Sequence, residues 1–440
     1  MRYENIKSAI LIFLVLFSIV LTWNLWTYQP DFKTIDNKNY VEQVSISEQK
    51  ELKKIVKPDT IYFHVNGKHF GTENSLEIDR LVREIGRWVV SDVKNNSEKA
   101  GSIKDLSEKG RAVEIAFPAK VPVEIYRNIL NIDQKKIPPF NFDRIVVNMD
   151  STNKENGSVY FVSSETQQVY SAQIPLSFLN DFNKNFFKNA TNYPAYFAFK
   201  PTDRRTIYLP EKETNMLVYK YLPAKLDSEL FKEALFRDPS FVRKSVIDGG
   251  EEYTNDSSKM NIDDSTNILT YVNPTENNTY VGNSYDLLNK SIDFVNGHGG
   301  WTDSYRYVSM DELNQKVTFR LYSTEGYPVF NERGMSEVTE VWGRDEINKY
   351  IRPSIALDFA IQSEMATVSL PSGHQVLEYL QTKKNFKISH LEDIVLGYQM
   401  QKDLKSEQLI TLEPTWFYQY NGSWGQVTSE DLGGLKHGLE

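Results

Sequence analysis

An α+β architecture behind one membrane-crossing helix is the fold class this sequence predicts. It comprises a single N-terminal transmembrane helix followed by a three-domain extracytoplasmic region of mostly antiparallel sheets packed with helices. Three observations predict it. One long apolar run, Ala9–Trp26, stands near the start, and from Ala9 to Trp23 it carries no charge. Beyond Tyr28 the chain is polar, and strand-like segments alternate with amphipathic helical ones. The chain is 13% aromatic and contains no cysteine, so packed cores rather than disulfides must hold the exterior region.

The anchor comes first. Counted from Ser8 to Thr27 the run is about 20 residues, which matches a hydrocarbon core of roughly 30 Å. A lone segment in lipid must satisfy its own backbone hydrogen bonds, so it is helical. Arg2 and Lys7 precede it, while Trp23, Trp26 and Tyr28 follow. The basic tail favours a cytoplasmic N-terminus, and the aromatic cluster fits the opposite interface. The run exceeds a signal-peptide core and no A-x-A-like site follows, so the anchor reads as uncleaved and the bulk as extracytoplasmic. Leu11, Val15, Ser18 and Thr22 share one helix face, and their hydroxyl side chains let a partner helix approach closely in lipid.

Composition narrows the partners. The formal net charge is −9, and setting aside residues 1–28 leaves 48 basic and 58 acidic residues, a balance of −10. That argues against nucleic acid and anionic head groups. The absence of cysteine excludes thiolate metal sites and a cysteine nucleophile. At 440 residues the chain exceeds one compact core.

Domain boundaries follow joins in the pattern: 1–28 tail and span, 29–191 an α+β domain, 192–282 a central sheet-plus-helix domain, and 283–440 a C-terminal sheet-plus-helix domain. In the first exterior domain, a short helical pattern surrounds Ser47–Val56. Thr60–Thr72 is a hairpin, because Asn66-Gly67 is the pair that tolerates two positive φ values. Leu76–Val93 reads as one amphipathic helix with Leu81, Ile85, Trp88 and Val89 on its buried face. Ala112–Phe117 and Arg144–Met149 are strands around a short helix, Val121–Leu130. Ser158–Ser163 and Gln168–Ile174 form a second hairpin, and Pro175–Lys188 closes the domain as a helix. The central domain opens with Thr206–Leu209 and Met216–Leu222, two strands around a turn at Lys212–Asn215. A helix capped by Asp227 follows, then strands near Val242–Asp248, Glu252–Asn255, Lys259–Asp263 and Leu269–Asn273. The last domain begins with a helix, Tyr285–Asn296, capped by Ser284 and stopped by Gly297. Strands follow at Tyr305–Ser309, Lys316–Ser323, Tyr327–Asn331, Val338–Trp342 and Asn348–Ala356. After a helix at Gly373–Thr382 come Ile388–Met400, Thr411–Tyr420 and Gly422–Val427.

Motifs that carry chemistry are sparse. Ser47 and Lys50 match S-x-x-K, but the accompanying S-D-N and K-T-G elements are missing. The Asn66-Gly67 turn sets His64 opposite His69, where two imidazoles can share a metal. Two ligands are not a site and no acid neighbour is evident, so a cross-strand aromatic pair is the reading. No phosphate-binding, zinc-protease or nucleophile-elbow motif occurs. The remaining candidate is Asn296–Asp303, NGHGGWTD, in which His298 is a possible base and Asp303 its orienting acid. The competing reading is a helix stop and tight turn with Trp301 packing back. No nucleophile or metal ligand accompanies the pair, so no catalytic, cofactor or metal residue is assigned.

The anchor running into TWNLWTYQP (22–30), the block SIDFVNGHGGWTDSYRYV (291–308) and GYPVF (326–330) together resemble the YycH family of Gram-positive bacteria. The C-terminal part, with GYPVF and PTWFYQYNGSW (414–424), also resembles the sister YycI family. The resemblance implies a regulator and not an enzyme: a single-span protein with three exterior domains, acting with a YycI-like partner on the sensor histidine kinase WalK (YycG), which governs cell-wall metabolism. It implies contact through the membrane helix, and no cofactor. The alternative is an anchored cell-wall enzyme using His298 and Asp303.

Overall fold

Asn66 and Gly67 both adopt positive φ, 50° and 82°, and the turn they make fixes the register of the hairpin around it. Thr60–Val65 pairs with Lys68–Thr72 so that Val65 faces Lys68 and His64 faces His69. In the computed structural model this hairpin lies within a nine-stranded sheet. The structure describes residues 47–440 except 128, 134–136, 151–154, 276–281, 362–365, 404–405, 407, 429–430 and 432–440; before residue 47 it describes Lys7, Leu11, Val15, Leu16 and Ser18.

The nine-stranded sheet is antiparallel throughout. Its order is Ser91–Asn95, Gln168–Pro175, Asn156–Ser163, Asn141–Asn148, Arg111–Pro122, Thr60–Val65, Lys68–Thr72, Ala195–Thr202, Arg205–Pro210. The helix Ser75–Ile85 is capped by the Asn74 side chain, which accepts from the N–H groups of Leu76 and Glu77. It buries Ile78, Leu81, Val82 and Ile85. It is shorter than the predicted Leu76–Val93, for a local reason. Gly86 ends it with its N–H on Val82 O, and Ser91–Asn95 is drawn into the sheet edge by pairing with Gln168–Pro175. A further helix, Ala100–Lys109, escapes the sequence pattern because Ile103 and Leu106 are its only large apolar residues. Ile103 packs on a satellite cluster of Ala112, Val146 and Val169.

The second sheet has seven strands. Val329–Phe330, Leu391–Lys402, Ile410–Tyr420, Thr214–Lys225 and Ile355–Ala360 run in that order; Ala366–Leu370 pairs with Thr214–Lys225, and Ser423–Val427 with Ile410–Tyr420. The third has eight antiparallel strands, ordered Arg243–Ile247, Gly250–Thr254, Lys259–Asp263, Ile268–Val272, Ile347–Pro353, Glu337–Trp342, Lys316–Leu321, Tyr305–Asp311. Strands from 192–282 and from 283–440 share both of these sheets, so backbone hydrogen bonds join the two blocks.

Two strand assignments are corrected. Arg205–Pro210 and Thr214–Lys225 are not a hairpin: the first belongs to the nine-stranded sheet and the second to the seven-stranded one. The predicted strand Asn348–Ala356 is two, Ile347–Pro353 and Ile355–Ala360, in different sheets, with buried Ser354 at the crossover. Apart from that satellite cluster, buried apolar residues from all three sheets form one connected core. Polar links reinforce it, as where Arg205 donates to Leu391 O at 3.1 Å and the Tyr307 hydroxyl to Lys120 O at 2.9 Å.

The five described N-terminal positions are helical. Among the described residues no helix is long and apolar enough to cross a membrane; most of Ala9–Trp26 lies outside them.

Candidate functional site

The helix Ser284–Gly297 delivers the glycine-rich block to the middle of the structure. Its cap is Asn283, whose side chain accepts from Asp286 N–H, and not Ser284 as predicted; the Ser284 hydroxyl donates to Glu312. Leu287, Leu288, Ile292 and Val295 bury its inner face. After Gly297 the chain turns through Gly299 and Gly300 at φ values of 106° and 71°, a backbone only glycine adopts without strain. Trp301 then drops back into the core, 2% exposed. Burying a ring of that size contributes about 3 kcal/mol.

This block binds a segment from far away in the sequence. Ser47–Lys50 lies along it as a strap. The Ser47 hydroxyl donates to Trp301 O at 2.6 Å, and the Trp301 N–H donates to Glu48 O at 3.1 Å. Asn296 joins both sides: its Oδ1 accepts from Lys50 N–H at 2.9 Å and from the Trp301 indole at 2.8 Å, while its Nδ2 donates to Lys50 O at 3.2 Å. The Lys50 ammonium donates to the Asp303 carbonyl. A Cβ on Gly300 would stand 2.5 Å from Ser47 O, so glycine there is a condition of the close approach. Beside the strap lies a cleft of about 470 Å³, lined by Ser47, Lys50, Tyr221, Trp301, Tyr322 and Asp358 among others.

His298 and Asp303 serve separate structural roles. The His298 imidazole donates from Nδ1 to Phe294 O at 2.8 Å and stacks on the Phe294 ring at 4.0 Å. Burial lowers its pKa, against the pull of that carbonyl, so it is a neutral helix-end residue. Asp303 Oδ1 accepts from Leu357 N–H at 3.0 Å, which ties the block to the strand Ile355–Ala360 of the seven-stranded sheet. Burial raises the Asp303 pKa, and the hydrogen bonds and Lys50 oppose it. Burial likewise lowers that of Lys50, with Asp303 opposing. The strap is thus a set of half-buried polar contacts along the rim of the cleft.

The histidine pair holds more than the sequence revealed. The two Nδ1 atoms of His64 and His69 face each other at 2.8 Å, so one ring donates and the other accepts. Glu114 stands opposite Tyr62 on the neighbouring strand, diagonal to His64, and its carboxylate lies 3.3 Å from His64 Nε2. Arg144 pairs with the other carboxylate oxygen. Burial would raise the Glu114 pKa; the Arg144 guanidinium and His64 overcome it and hold it at about 2. Burial, aided by His64, takes His69 down to about 4. Only strand pairing brings Glu114 to the histidines, so no local spacing signals it. Among the described residues no group of three or more His, Asp or Glu is arranged to hold a metal.

Of the predicted helix-contact residues, Leu11, Val15 and Ser18 are helical, with Leu11 and Val15 exposed. Thr22 lies outside the described residues.

Comparison with known proteins gives a consistent set of matches. Residues 4–191 match the family model described as YycH protein, N-terminal domain, and residues 204–432 the one described as YycH protein, C-terminal domain. The chain is 24% identical to the two-component system WalR/WalK regulatory protein YycH of Bacillus subtilis (strain 168), over 98% of each. The crystal structure of YycH from Bacillus subtilis matches with a TM-score of 0.74 at 22% identity, covering 88% of this chain and 100% of that one. That last likeness speaks to the fold.

Proposed function

The chain belongs to the YycH family, and from that premise we propose that it is a membrane-anchored accessory regulator of a two-component system, acting on the sensor histidine kinase. The observation that carries the reading is similarity along 98% of the chain to a protein named as a WalR/WalK regulator. The family is regulatory and not enzymatic, and the separate engagement of His298 and Asp303 agrees with that.

In this reading Ala9–Trp26 spans the membrane, the N-terminus is cytoplasmic and the bulk of the chain is outside. The kinase is WalK-like (YycG), its output is cell-wall metabolism, and a YycI-like protein acts alongside. The contact runs through the span, with Leu11, Val15, Ser18 and Thr22 on the touching face. A coupling of about 1–3 kcal/mol between helix packing and kinase state is enough to change output 5- to 150-fold. The strap supports the idea mechanically. Ser47–Lys50, which comes after the span in the sequence, is bonded to the block 296–303, so a load carried along the chain from the anchor would meet the core there.

The test is kinase autophosphorylation in membrane vesicles containing the kinase, the YycI-like protein and this chain. The full chain shifts autophosphorylation, and replacing residues 8–27 with poly-Leu abolishes the shift. Regulation retained by the poly-Leu variant refutes the helix contact. No effect of the full chain refutes the regulatory reading.

A further inference from the structure

The nine-stranded sheet curls until strands that are not neighbours in it touch. Arg144, on the fourth strand in sheet order, donates from Nη2 to Thr206 O on the ninth at 3.3 Å. In the curl, against the helix Ala100–Lys109, lies a cavity of about 90 Å³. One water needs about 10–15 Å³ of such space, so the cavity holds the equivalent of about six to nine non-hydrogen atoms. One wall is hydrocarbon. Val162 stands opposite Arg144 on one side and Val169 on the other, so the three form one row across three strands. Val146 is two residues along from Arg144, on the same face. Ile103 closes the wall from the helix.

The other end is polar and short of partners. The Arg144 guanidinium has five N–H donors. One goes to Glu114 and one to Thr206 O, leaving three with no acceptor among the described residues. Its side chain is 25% exposed although it sits on an inner strand, and it lines the cavity. Tyr208 lines the same cavity. It is 5% exposed, wedged against the rings of His64 and His69 at 5.1 Å each, and its hydroxyl has no hydrogen-bond partner among the described residues. The balance of charge is positive. Lys104, Arg144, Arg204 and Arg205 line the cavity against two acids, Glu108 and Glu114. Both acids are already paired, with Lys200 and Arg144, whereas Lys104 and Arg205 end on the carbonyls of Asp203 and Leu391. The chain as a whole has a net charge of −9.

We propose that this cavity is a binding site for a small aliphatic carboxylate, with its hydrocarbon tail against Val146, Val162 and Val169 and its carboxylate on Arg144 and Tyr208. The lining selects this class. A neutral hydrocarbon would leave the spare Arg144 donors and the Tyr208 hydroxyl buried without partners. A cation would meet the positive surplus. A bare inorganic anion would satisfy the polar end and leave the aliphatic wall wet. A carboxylate accepts from the guanidinium fork and from the hydroxyl together, by charge-assisted bonds. The histidine pair and Glu114 then act as positioning residues: Tyr208 rests on the first, and the second holds Arg144 in place.

The experiment is saturation-transfer NMR of hexanoate, which falls within the size range, on the full chain in lipid nanodiscs, with empty nanodiscs as the blank. Hexanoate is expected to bind about tenfold more tightly than 1-hexanol, which has the same tail and no charge. Tyr208→Phe removes one oxygen atom and is expected to weaken hexanoate about fivefold. Val162→Phe fills the space beside Arg144 and abolishes the saturation; if that larger change prevents folding, Tyr208→Phe decides. Saturation no greater than in empty nanodiscs leaves the cavity to water and overturns the proposal. Equal affinity for 1-hexanol, hexanoate binding unchanged in Tyr208→Phe, or saturation that survives in folded Val162→Phe overturns it too. Binding is read without the kinase, so its failure leaves the regulatory reading as it stands.

Discussion

Replacing Gly300 by alanine tests whether the strap is held by close backbone contact. The added Cβ meets Ser47 O at 2.5 Å, Ser47 C at 2.8 Å and Glu48 O at 2.9 Å, all backbone atoms that no side-chain rotation relieves. Gly300 cannot retreat, because its N–H donates to Val295 O at 2.8 Å and its carbonyl accepts from buried Arg352 at 3.2 Å. The Ser47–Glu48 end of the strap must leave instead, while Lys50 keeps its bonds to Asn296 and Asp303. Its departure breaks the bonds from Ser47 to Trp301 O and from Trp301 N–H to Glu48 O, worth about 1 kcal/mol each. The left-handed backbone adds about 1 kcal/mol for alanine. Local opening thus becomes easier by about 2–3 kcal/mol, or roughly 30- to 150-fold. Amide hydrogen exchange at Trp301 reads this directly. Gly297→Ala is the control, since nothing lies within 4 Å of its added Cβ and its φ is not in the left-handed region. Exchange at Trp301 within twofold of the parent in Gly300→Ala, or equal acceleration in both variants, refutes the reasoning.

Two further expectations concern buried charge. Glu114→Gln leaves Arg144 without its ionic partner, and denaturant unfolding should show a loss of about 3 kcal/mol; the pair Glu114→Gln with Arg144→Met should recover part of it, and a neutral single variant would contradict the account. Asp59 is pushed up to about 7 by burial and then by Asp393, itself raised to about 6 by burial. An acid whose folded pKa lies above its unfolded one keeps its proton more tightly when folded. Stability therefore falls as pH rises from about 4 to about 7, and the penalty persists above that. Asp59→Asn should raise stability at pH 8 by about 2 kcal/mol and flatten the slope between pH 4 and 7; melting curves across that range check both.

What the sequence made legible is local chemistry. The Asn66-Gly67 turn carries its own register, so the opposition of His64 and His69 follows from the sequence alone. The Gly373–Thr382 helix and the turn after Gly297 are equally self-contained. Non-local pairings were not legible. Glu114 reaches His64 through a neighbouring strand, and Thr214–Lys225 leaves its sequence neighbour for partners at Ile355–Ala360, Ala366–Leu370 and Ile410–Tyr420. Ser47 and Lys50 show the limit most clearly. Their spacing is that of an incomplete catalytic motif, whereas their contacts are to Trp301 and Asp303, more than 250 residues away. Short polar residues in a mixed segment carry no mark of a distant dock.

That separation sets a schedule for biogenesis. The strap is made early and its dock late, so at about 5–20 residues per second the strap waits roughly 12–50 s for residues 296–303 to be synthesised. During that interval the chain is tethered near its start, if the span inserts as proposed, while its first sheet assembles without the final clasp. Closing the strap is then a late event in maturation, and a nascent chain halted before Trp301 has nothing to close upon.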